Sequence, residues 1–592
     1  MDIGHQLGVH RVVDLGTVEY EMAQGPLAIE SNALIGHLGM LPASAARRGA
    51  SRWVAWPAVI QDALRAQLAQ ALASLGVNPP ALISMERPAR REHGDWSTNV
   101  ALASAKPAGR NPRELAAQLV AALEAAQITH VERVEVAGPG FVNFHLAPSW
   151  LHAVLVEAVQ AGVEGYARPD LGQAKRVNVE FVSANPTGPL HAGGGRWAAY
   201  GDALVNLLNR CGYRADREYY LNDRGVQMRL FGESLAALKA GLPVPEDGYQ
   251  GQYLHEWAVE MPAGADPGEW GYERVKRDLR ETLDGVGVHF DTWFSERSLV
   301  ADGAIDATLA DLAARQATYE ADGAVWLRST DYGDDKDRVL VKSDGEPTYL
   351  LPDLAYHRNK FERGYEQLID IWGADHHGYV ARLKAGIQAL GHDPTEVELI
   401  LGQLVSLKRD GVEVKLSKRA GTMVTLSEVV EETGADAARL TFLLQSLDTR
   451  QSVDLAVMVA QTNENPVYYV QYAHARIASL AREATRHGIT RRPLAEVDLS
   501  TLTHERELAV LRLLAELEDT VILACHERAP HKITTWVREL AGAFHGFYHD
   551  CRIMGEGIED ATTQARLWLI EGTRVGLRVG LDILGVSAPE SM

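Results

Sequence analysis

One segment constrains the fold of this chain more than any other: residues 177–196, with the sequence VNVEFVSANPTGPLHAGGGR. Its β-branched and aromatic start predicts a buried strand, and the asparagine, prolines and glycine that follow predict a turn. Three glycines come after His191, and the amphipathic run over 197–209 has helical spacing. A strand, a glycine-rich turn and a helix in this order direct backbone N–H groups and a positive helix end at one point, which favours phosphate binding. Taken alone, a run of glycines is more often a flexible turn.

A second motif far downstream strengthens the phosphate interpretation: residues 414–421, with the sequence VKLSKRAG. An imidazole and backbone amides on one side, and Lys415 and Lys418 on the other, suit a triphosphate that is being cleaved. Most lysine clusters are simply solvated. Because the two motifs occur together, we favour a triphosphate site over a solvated lysine cluster.

The two motifs resemble the HIGH and KMSKS signatures of class I aminoacyl-tRNA synthetases. Four further segments resemble arginyl-tRNA synthetases, and they occur in the family's order: EFVSANPTGPLH (180–191), GDDKDRV (333–339), GADHHGY (373–379) and NPVYYVQYAHAR (465–476). The similarity extends from roughly residue 55 to the C-terminus. It implies a ligase that uses ATP to join L-arginine to tRNA(Arg), with AMP and pyrophosphate as products.

The resemblance also implies an α/β fold with three working parts. These are an α+β N-terminal tRNA-recognition domain (55–150), a Rossmann-type catalytic domain with a parallel sheet (170–450), and an all-α anticodon-binding bundle (451–592). Alternating strand and helix patterns in the central part predict the same parallel sheet independently. The family places an insertion at about 230–345.

Residues 1–54 match nothing downstream. They are interpreted as a disordered or non-essential extension, as an arm for RNA, or as translation from an upstream start codon, with Met40 as a conceivable true start. We favour a non-essential role.

Composition bounds the cellular setting. The three cysteines are far apart and form no C-x-x-C pair, which argues against a disulfide framework and against a cysteine zinc site, so no zinc is expected. No apolar run approaches the roughly 20 residues that span a bilayer, and no secretory signal is visible. We therefore expect a cytoplasmic protein without a membrane partner. The net charge of -21 argues against a passive RNA coat more than against an enzyme that recognises RNA by shape.

The implied reaction proceeds in two steps: the carboxylate of arginine attacks the α-phosphate of ATP, and a ribose hydroxyl of the terminal tRNA adenosine then takes the arginyl group. Neither step needs a protein nucleophile, because positioning and charge stabilisation are sufficient. The resemblance assigns catalysis to His191, Lys415 and Lys418. It assigns ATP, carried with Mg²⁺, to a larger set: His191, Gly193, Gly194, Gly373, Asp375, Lys415, Ser417 and Lys418.

Gly194 departs from the family pattern, which usually has a second histidine at this position. The substitution removes one donor to the phosphates or the transition state. Water or a neighbouring residue would have to restore that hydrogen bond.

Arginine recognition is expected to depend on Asp353, whose carboxylate suits the planar guanidinium, with Tyr349 bonding or stacking against the same group. Alternatively, Asp353 caps a helix that starts near Leu354. The full set that the resemblance assigns to arginine is Glu180, Ser183, Asn185, Tyr349, Asp353 and His377.

Transfer RNA is expected to contact both ends of the chain, through aromatic and polar groups that stack on or bond to exposed bases. The assigned residues are Trp96, Asn99, Tyr469, Tyr472 and Arg476. For Trp96, and for at least half of the C-terminal aromatics, packing inside a domain is the alternative. We expect a monomer, as in most of the family.

Two other functions remain open. A non-catalytic tRNA-binding homologue would explain the loss at Gly194. The site keeps four other residues that argue against it: Lys415, Lys418, Asp353 and Glu180. A small-molecule nucleotidylyltransferase shares the histidine-containing loop on a similar sheet. It would not need a helical C-terminal domain of this size.

Overall fold

The computed structural model describes residues 56–88, 90–409, 411–413 and 424–592. The predicted extension over 1–54, and the predicted ATP ligands Lys415, Ser417 and Lys418, lie outside the described residues. The described part of the chain falls within a single compact unit that covers residues 54–592.

The N-terminal part is a small α+β layer. Its elements are α1 (Trp56–Ser74), β1 (Trp96–Thr98), α2 (Val100–Ala105), α3 (Pro112–Ala125), β2 (Val131–Ala137), β3 (Phe141–Leu146) and α4 (Pro148–Gly165). The strands form an antiparallel sheet in the order β1-β3-β2, with Val134 opposite Phe144. A tight turn over residues 138–140 joins β2 to β3. Proline at the first position of α3, with Asn111 accepting from two backbone N–H groups, explains where that helix starts.

The central part alternates strands and helices. In chain order the elements are β4 (Arg176–Glu180), α5 (Gly194–Arg210), β5 (Arg214–Leu221), α6 (Gly225–Lys239), α7 (Gln252–Glu260), α8 (Pro267–Gly285), β6 (Thr292–Ser295), α9 (Glu296–Ala301), α10 (Ala304–Ala314), β7 (Thr318–Ala321), β8 (Ala324–Leu327), β9 (Arg338–Val341), α11 (Leu350–Glu362), β10 (Gln367–Gly373), α12 (Val380–Ala389) and β11 (Val397–Gly402).

Five of these strands form one parallel sheet in the order β11-β10-β4-β5-β6. Strand residues such as Val177, Val179 and Ile369 are fully buried, as expected for a sheet covered by helices on both faces. The predicted parallel sheet is confirmed. One strand was not foreseen: β6 lies inside the segment 230–345 that the family resemblance treats as an insertion, yet it pairs with β5 and extends the central sheet.

The C-terminal part begins with a small sheet and continues as a bundle. Its elements are β12 (Val405–Arg409), β13 (Val412–Glu413), α13 (Leu426–Thr433), α14 (Ala435–Phe442), β14 (Gln451–Asp454), α15 (Leu455–Val459), α16 (Pro466–Arg486), α17 (Glu505–His526), α18 (His531–Asp550) and α19 (Asp560–Leu584). The last four helices pack together, and α4 packs against α17 and α19. The helical C-terminal domain that the family resemblance implies is therefore confirmed. Among the described helices, none is long and apolar enough to cross a membrane.

Candidate active site

A cavity of about 920 Å³ opens at the carboxyl ends of the central strands, where parallel sheets bind ligands. It brings together predicted residues that are far apart in sequence. The predicted residues that line it are Glu180, Ser183, Asn185, His191, Gly194, Tyr349, Asp353, Gly373 and Asp375. Gly193 and His377 are not among the lining residues.

The turn before α5 determines which ring nitrogen of His191 carries the proton. The N–H of Gly193 donates to the Nδ1 atom of His191 over 2.9 Å, so the proton of the neutral ring lies on Nε2. The N–H groups of Gly194 and Gly195 donate to the carbonyls of His191 and Ala192 over 2.7 and 3.0 Å. The amides near Gly193, which the sequence analysis assigned to phosphate, thus close the turn in this structure. The donor that the turn presents to the cavity is the imidazole.

The chain that follows the second signature lies against this turn. Ala192 donates to the carbonyl of Val424 over 3.0 Å, and Leu426 donates to the carbonyl of Leu190 over 2.8 Å. Val424 is the first described residue after the lysine-bearing segment. These hydrogen bonds hold Val424 and Leu426 beside the His191 turn.

Gly194 has a packing reason as well as a chemical consequence. A Cβ atom at this position would lie 2.9 Å from Cδ1 of Leu190, closer than such atoms approach in real proteins. Leu190 is almost fully buried. The space that a larger side chain would need is therefore occupied by Leu190.

Asp353 lies in the first turn of α11, which begins at Leu350 after Tyr349. The alternative that Asp353 caps a helix starting near Leu354 is therefore wrong. Its Oδ2 atom accepts a hydrogen bond of 2.5 Å from the hydroxyl of Tyr379. Burial raises the pKa of Asp353 to about 6, against the opposing effect of that hydrogen bond. Because burial disfavours the charged form of this half-buried carboxylate, a cationic partner would stabilise that form strongly.

Two predicted arginine ligands, Tyr349 and His377, lie less favourably than expected, and nearby residues are better placed for the same roles. Tyr349 is 85% exposed at the rim of the cavity, whereas Tyr379 contacts Asp353 directly. His376 lines the cavity, whereas the predicted His377 does not. Tyr379 ends the segment 373–379 that carries the family resemblance, so its position in that motif was the available signal.

A buried ionic network lies beneath the cavity. The Nζ atom of Lys360 donates to Oε2 of Glu180 over 2.7 Å and to Oδ1 of Asp370 over 2.8 Å. Nε2 of His357 lies 2.8 Å from Oδ2 of Asp370. Burial opposes the charge of Lys360, but Asp370 and Glu180 hold its pKa above the ordinary value. The network thus fixes the carboxylate of Glu180 at the end of β4 and that of Asp370 in the middle of β10.

Local sequence could not predict this network because its members are widely separated along the chain. Lys360 and Glu180 are 180 positions apart. A partial signal was present, since Asp370 interrupts the apolar strand sequence QLIDIW and Lys360 follows His357 by one helical turn. Buried charges of this kind need a partner.

The end of β4 turns sharply into the cavity. Val182 and Ser183 adopt left-handed backbone angles, with φ of 67° and 36°. Such angles are strained for a β-branched residue and cluster at functional sites. The Oγ atom of Ser183 accepts a 3.0 Å hydrogen bond from the N–H of Tyr220 on β5, which secures the turn.

A second cavity, of about 760 Å³, lies between α16 and α18 in the helical bundle. The predicted residues Tyr469, Tyr472 and Arg476 all line it, together with His545 and Tyr548. The guanidinium of Arg476 lies 4.5 Å from the ring centre of Tyr472 and 4.4 Å from that of Tyr548. The arrangement offers aromatic faces and a cation on one wall.

The two N-terminal residues assigned to tRNA differ in access. Trp96 is 3% exposed, and the guanidinium of Arg87 lies 4.5 Å from its ring centre. The packing alternative fits this environment. Asn99, before α2, is exposed and its side chain does not cap that helix.

The comparisons with known proteins agree with this geometry. Three family models match in chain order: "Arginyl tRNA synthetase N terminal domain" over 62–146, "tRNA synthetases class I (R), catalytic domain" over 278–478, and "DALR anticodon binding domain" over 470–592. The parallel sheet, the cavity at its carboxyl edge and the helical bundle thus define a class I aminoacyl-tRNA synthetase.

The relatives are more specific. The arginine–tRNA ligase of Frankia alni is 47% identical over 556 residues, which covers 90% of this chain and 100% of that relative. That of Carboxydothermus hydrogenoformans is 45% identical, covering 86% of this chain and 94% of the relative. The arginyl-tRNA synthetase of Thermus thermophilus shares the fold, with a TM-score of 0.68 at 22% identity over 90% of this chain and 100% of that chain. The chain belongs to the arginine–tRNA ligase family, and the predicted enzyme class is confirmed.

Proposed function

We propose that the protein activates L-arginine with ATP and transfers the arginyl group to the 3′ end of tRNA(Arg), acting as a cytoplasmic monomer. The observation that carries this proposal is the cavity at the sheet edge. Asp353 provides a carboxylate that can bind the guanidinium, and His191 provides a hydrogen-bond donor that can bind a phosphate oxygen. Both groups face one space, as in-line attack on an α-phosphate requires.

Arginine is held at two ends in this proposal. The carboxylate of Asp353, fixed by Tyr379, accepts the guanidinium, and Glu180 accepts the α-ammonium. Lys360 holds Glu180 in place from below, so that the ammonium meets a preorganised acceptor. Ser183 and Asn185 line the cavity at the same strand end and serve the remaining polar groups.

ATP occupies the rest of the cavity. The Nε2 proton of His191 donates to a phosphate oxygen, and Gly373 with Asp375 contacts the ribose. Lys415 and Lys418 neutralise the β- and γ-phosphates, assisted by Ser417, from the segment that rejoins the described chain at Val424. Mg²⁺ accompanies ATP as part of the substrate.

The tRNA contacts both ends of the chain. Its anticodon bases stack in the cavity formed by Tyr469, Tyr472 and Arg476, because aromatic faces and guanidinium planes hold unstacked bases. Asn99 is exposed and suits a base at the outer corner of the tRNA. Residues 1–54 are proposed to be dispensable, so removing residues 1–50 should leave charging intact.

The test is ATP-dependent charging of purified tRNA(Arg) with labelled amino acids. Arginine should be charged, and citrulline, its neutral isostere, should not, since it presents no cation to Asp353. Tight tRNA binding without charging of any amino acid would favour the non-catalytic homologue instead. Nucleotide transfer to a small molecule without tRNA would favour the nucleotidylyltransferase.

A further inference from the structure

Arg196 is a buried cation that the residue assignments above do not use. It stands in the first turn of α5, directly after the glycines, and its exposure is 0%. The positive end of a helix disfavours a cation, and burial lowers the pKa of Arg196, an effect that Asp448 partly offsets. Since burial and the helix end both disfavour the charged guanidinium, its presence at this position points to a function of the side chain.

All hydrogen-bond acceptors that the structure gives Arg196 are neutral carbonyls on two distant loops. Nη1 donates to the carbonyls of Gln403 and Thr449 over 3.1 and 2.8 Å, and Nη2 donates to that of Ser446 over 2.7 Å. These loops lead directly into β12 and β14, which pair in parallel. Arg196 therefore clamps the start of this strand pair against the first turn of α5.

The clamp lies beside the wall of the catalytic cavity. Leu404, next to Gln403, lines that cavity, as does Trp197, next to Arg196. Gly402 pairs in register with Gly373, which lies on the proposed ATP side. A shift of the 402–404 loop would thus move the ATP wall relative to His191, whereas Asp353 lies on a different element.

We propose that Arg196 is a positioning residue for adenylate formation. The planar guanidinium sets the distance between the His191 turn and the paired strands β12 and β14. That distance in turn sets the geometry of the ATP side of the cavity. Lysine cannot reproduce three carbonyl contacts on two loops, because its ammonium is a single point. The inference rests on the proposed ligase function.

The same helix supplies a matched control. Arg210, the last residue of α5, also donates to backbone carbonyls only, those of Val163, Tyr166 and Ala167. Burial lowers the pKa of Arg210 to about 10. Its partners lie on and just after α4, away from the cavity. Arg210→Lys should therefore perturb packing to a similar degree without touching the ATP wall.

The experiment compares Arg196→Lys and Arg210→Lys in arginine-dependent ATP–pyrophosphate exchange with tRNA(Arg) present, together with thermal unfolding. For Arg196→Lys, kcat should fall about 10- to 100-fold while KM for arginine stays within about twofold of the original. Arg210→Lys should lower Tm comparably and leave kcat within about twofold. Arg196→Gln, which keeps an –NH₂ donor without burying a charge, is the second variant and should show the same loss.

Other results overturn the proposal. Equal kcat losses in the Arg196 and Arg210 variants would mean that general destabilisation explains the effect. A raised KM for arginine at unchanged kcat would place Arg196 in the arginine pocket. If neither Arg196 variant folds while Arg210→Lys does, the role is stability alone. Absence of arginine-dependent exchange in the unmodified protein would instead refute the proposed function itself.

Discussion

The two cavities of this molecule are built from opposite kinds of chemistry. The cavity at the sheet edge has carboxylates held by one buried cation, Lys360, and by the hydroxyl of Tyr379. The cavity in the bundle has aromatic rings and an arginine, half-buried on helix faces. The first arrangement suits one small cation in one pose. The second suits flat bases whose exact orientation matters less, because every base has a π-face.

The difference predicts that variants of the two cavities will separate cleanly in kinetics. Changes at the sheet edge should alter parameters for arginine or ATP. Changes in the bundle should alter those for tRNA. Mixed effects would break the comparison.

The largest effect is expected for Asp353→Asn. Loss of the carboxylate removes a charge-assisted hydrogen-bond pair worth about 2–3 kcal/mol, so KM for arginine should rise about 30- to 150-fold. KM for ATP and for tRNA should stay near the original values in steady-state charging. Asp344→Asn is the matched control, because Asp344 is an exposed carboxylate in the turn after β9. An unchanged KM for arginine would refute the guanidinium role.

Tyr472→Ala should give the next largest effect, on tRNA alone. Loss of one stacking face costs about 1–3 kcal/mol, so KM for tRNA(Arg) should rise while KM for arginine does not. Tyr472→Phe keeps the ring and should stay close to the original. If both variants weaken tRNA equally, the hydroxyl bonded by Arg476 is the important group and stacking is not.

A pH profile sharpens the comparison further. With a pKa of about 6, Asp353 becomes neutral as pH falls, while the guanidinium of arginine stays charged. Arginine binding needs the deprotonated carboxylate, so kcat/KM for arginine should fall about tenfold per unit below that pKa. The affinity for tRNA, measured by filter retention, should not show this decrease at acidic pH. The Asp353→Asn variant should not show the decrease in kcat/KM for arginine either. If the decrease persists in that variant, another group is responsible for the titration.

The smallest kinetic effect is expected at Trp96, where a substitution distinguishes the two interpretations of its role. If Trp96 only packs the N-terminal sheet, Trp96→Phe should lower stability by about 1–3 kcal/mol and leave KM for tRNA unchanged. Thermal unfolding and charging kinetics measure the two quantities. A raised KM for tRNA at unchanged Tm would restore the stacking role.

Local pattern was enough to predict much of the fold. The helical spacing after His191 predicts α5, because periodicity depends only on nearby residues. β6 escaped prediction since it is short, and its pairing with β5 depends on a fold that returns across three helices.

The site residues followed from motifs, and their roles stay predictions. Motifs could not show that Tyr379 bonds Asp353, that His376 faces the cavity instead of His377, or that the amides near Gly193 close a turn. Each of these depends on the path of a turn or on a distant partner. Arg196 illustrates the limit most clearly, since its carbonyl acceptors lie 207 to 253 positions away.

The sheet order also has a consequence for how this protein is made. β4 lies between β5 and β10, but the segments that join β4 to β10 are separated by 190 positions. At about 5–20 residues per second, a ribosome needs roughly 10–40 s to synthesise that interval. Throughout it, the edge of β4 that later pairs with β10 lacks that partner, and unpaired strand edges can template aggregation. The central sheet can therefore be completed only after β10 has been synthesised.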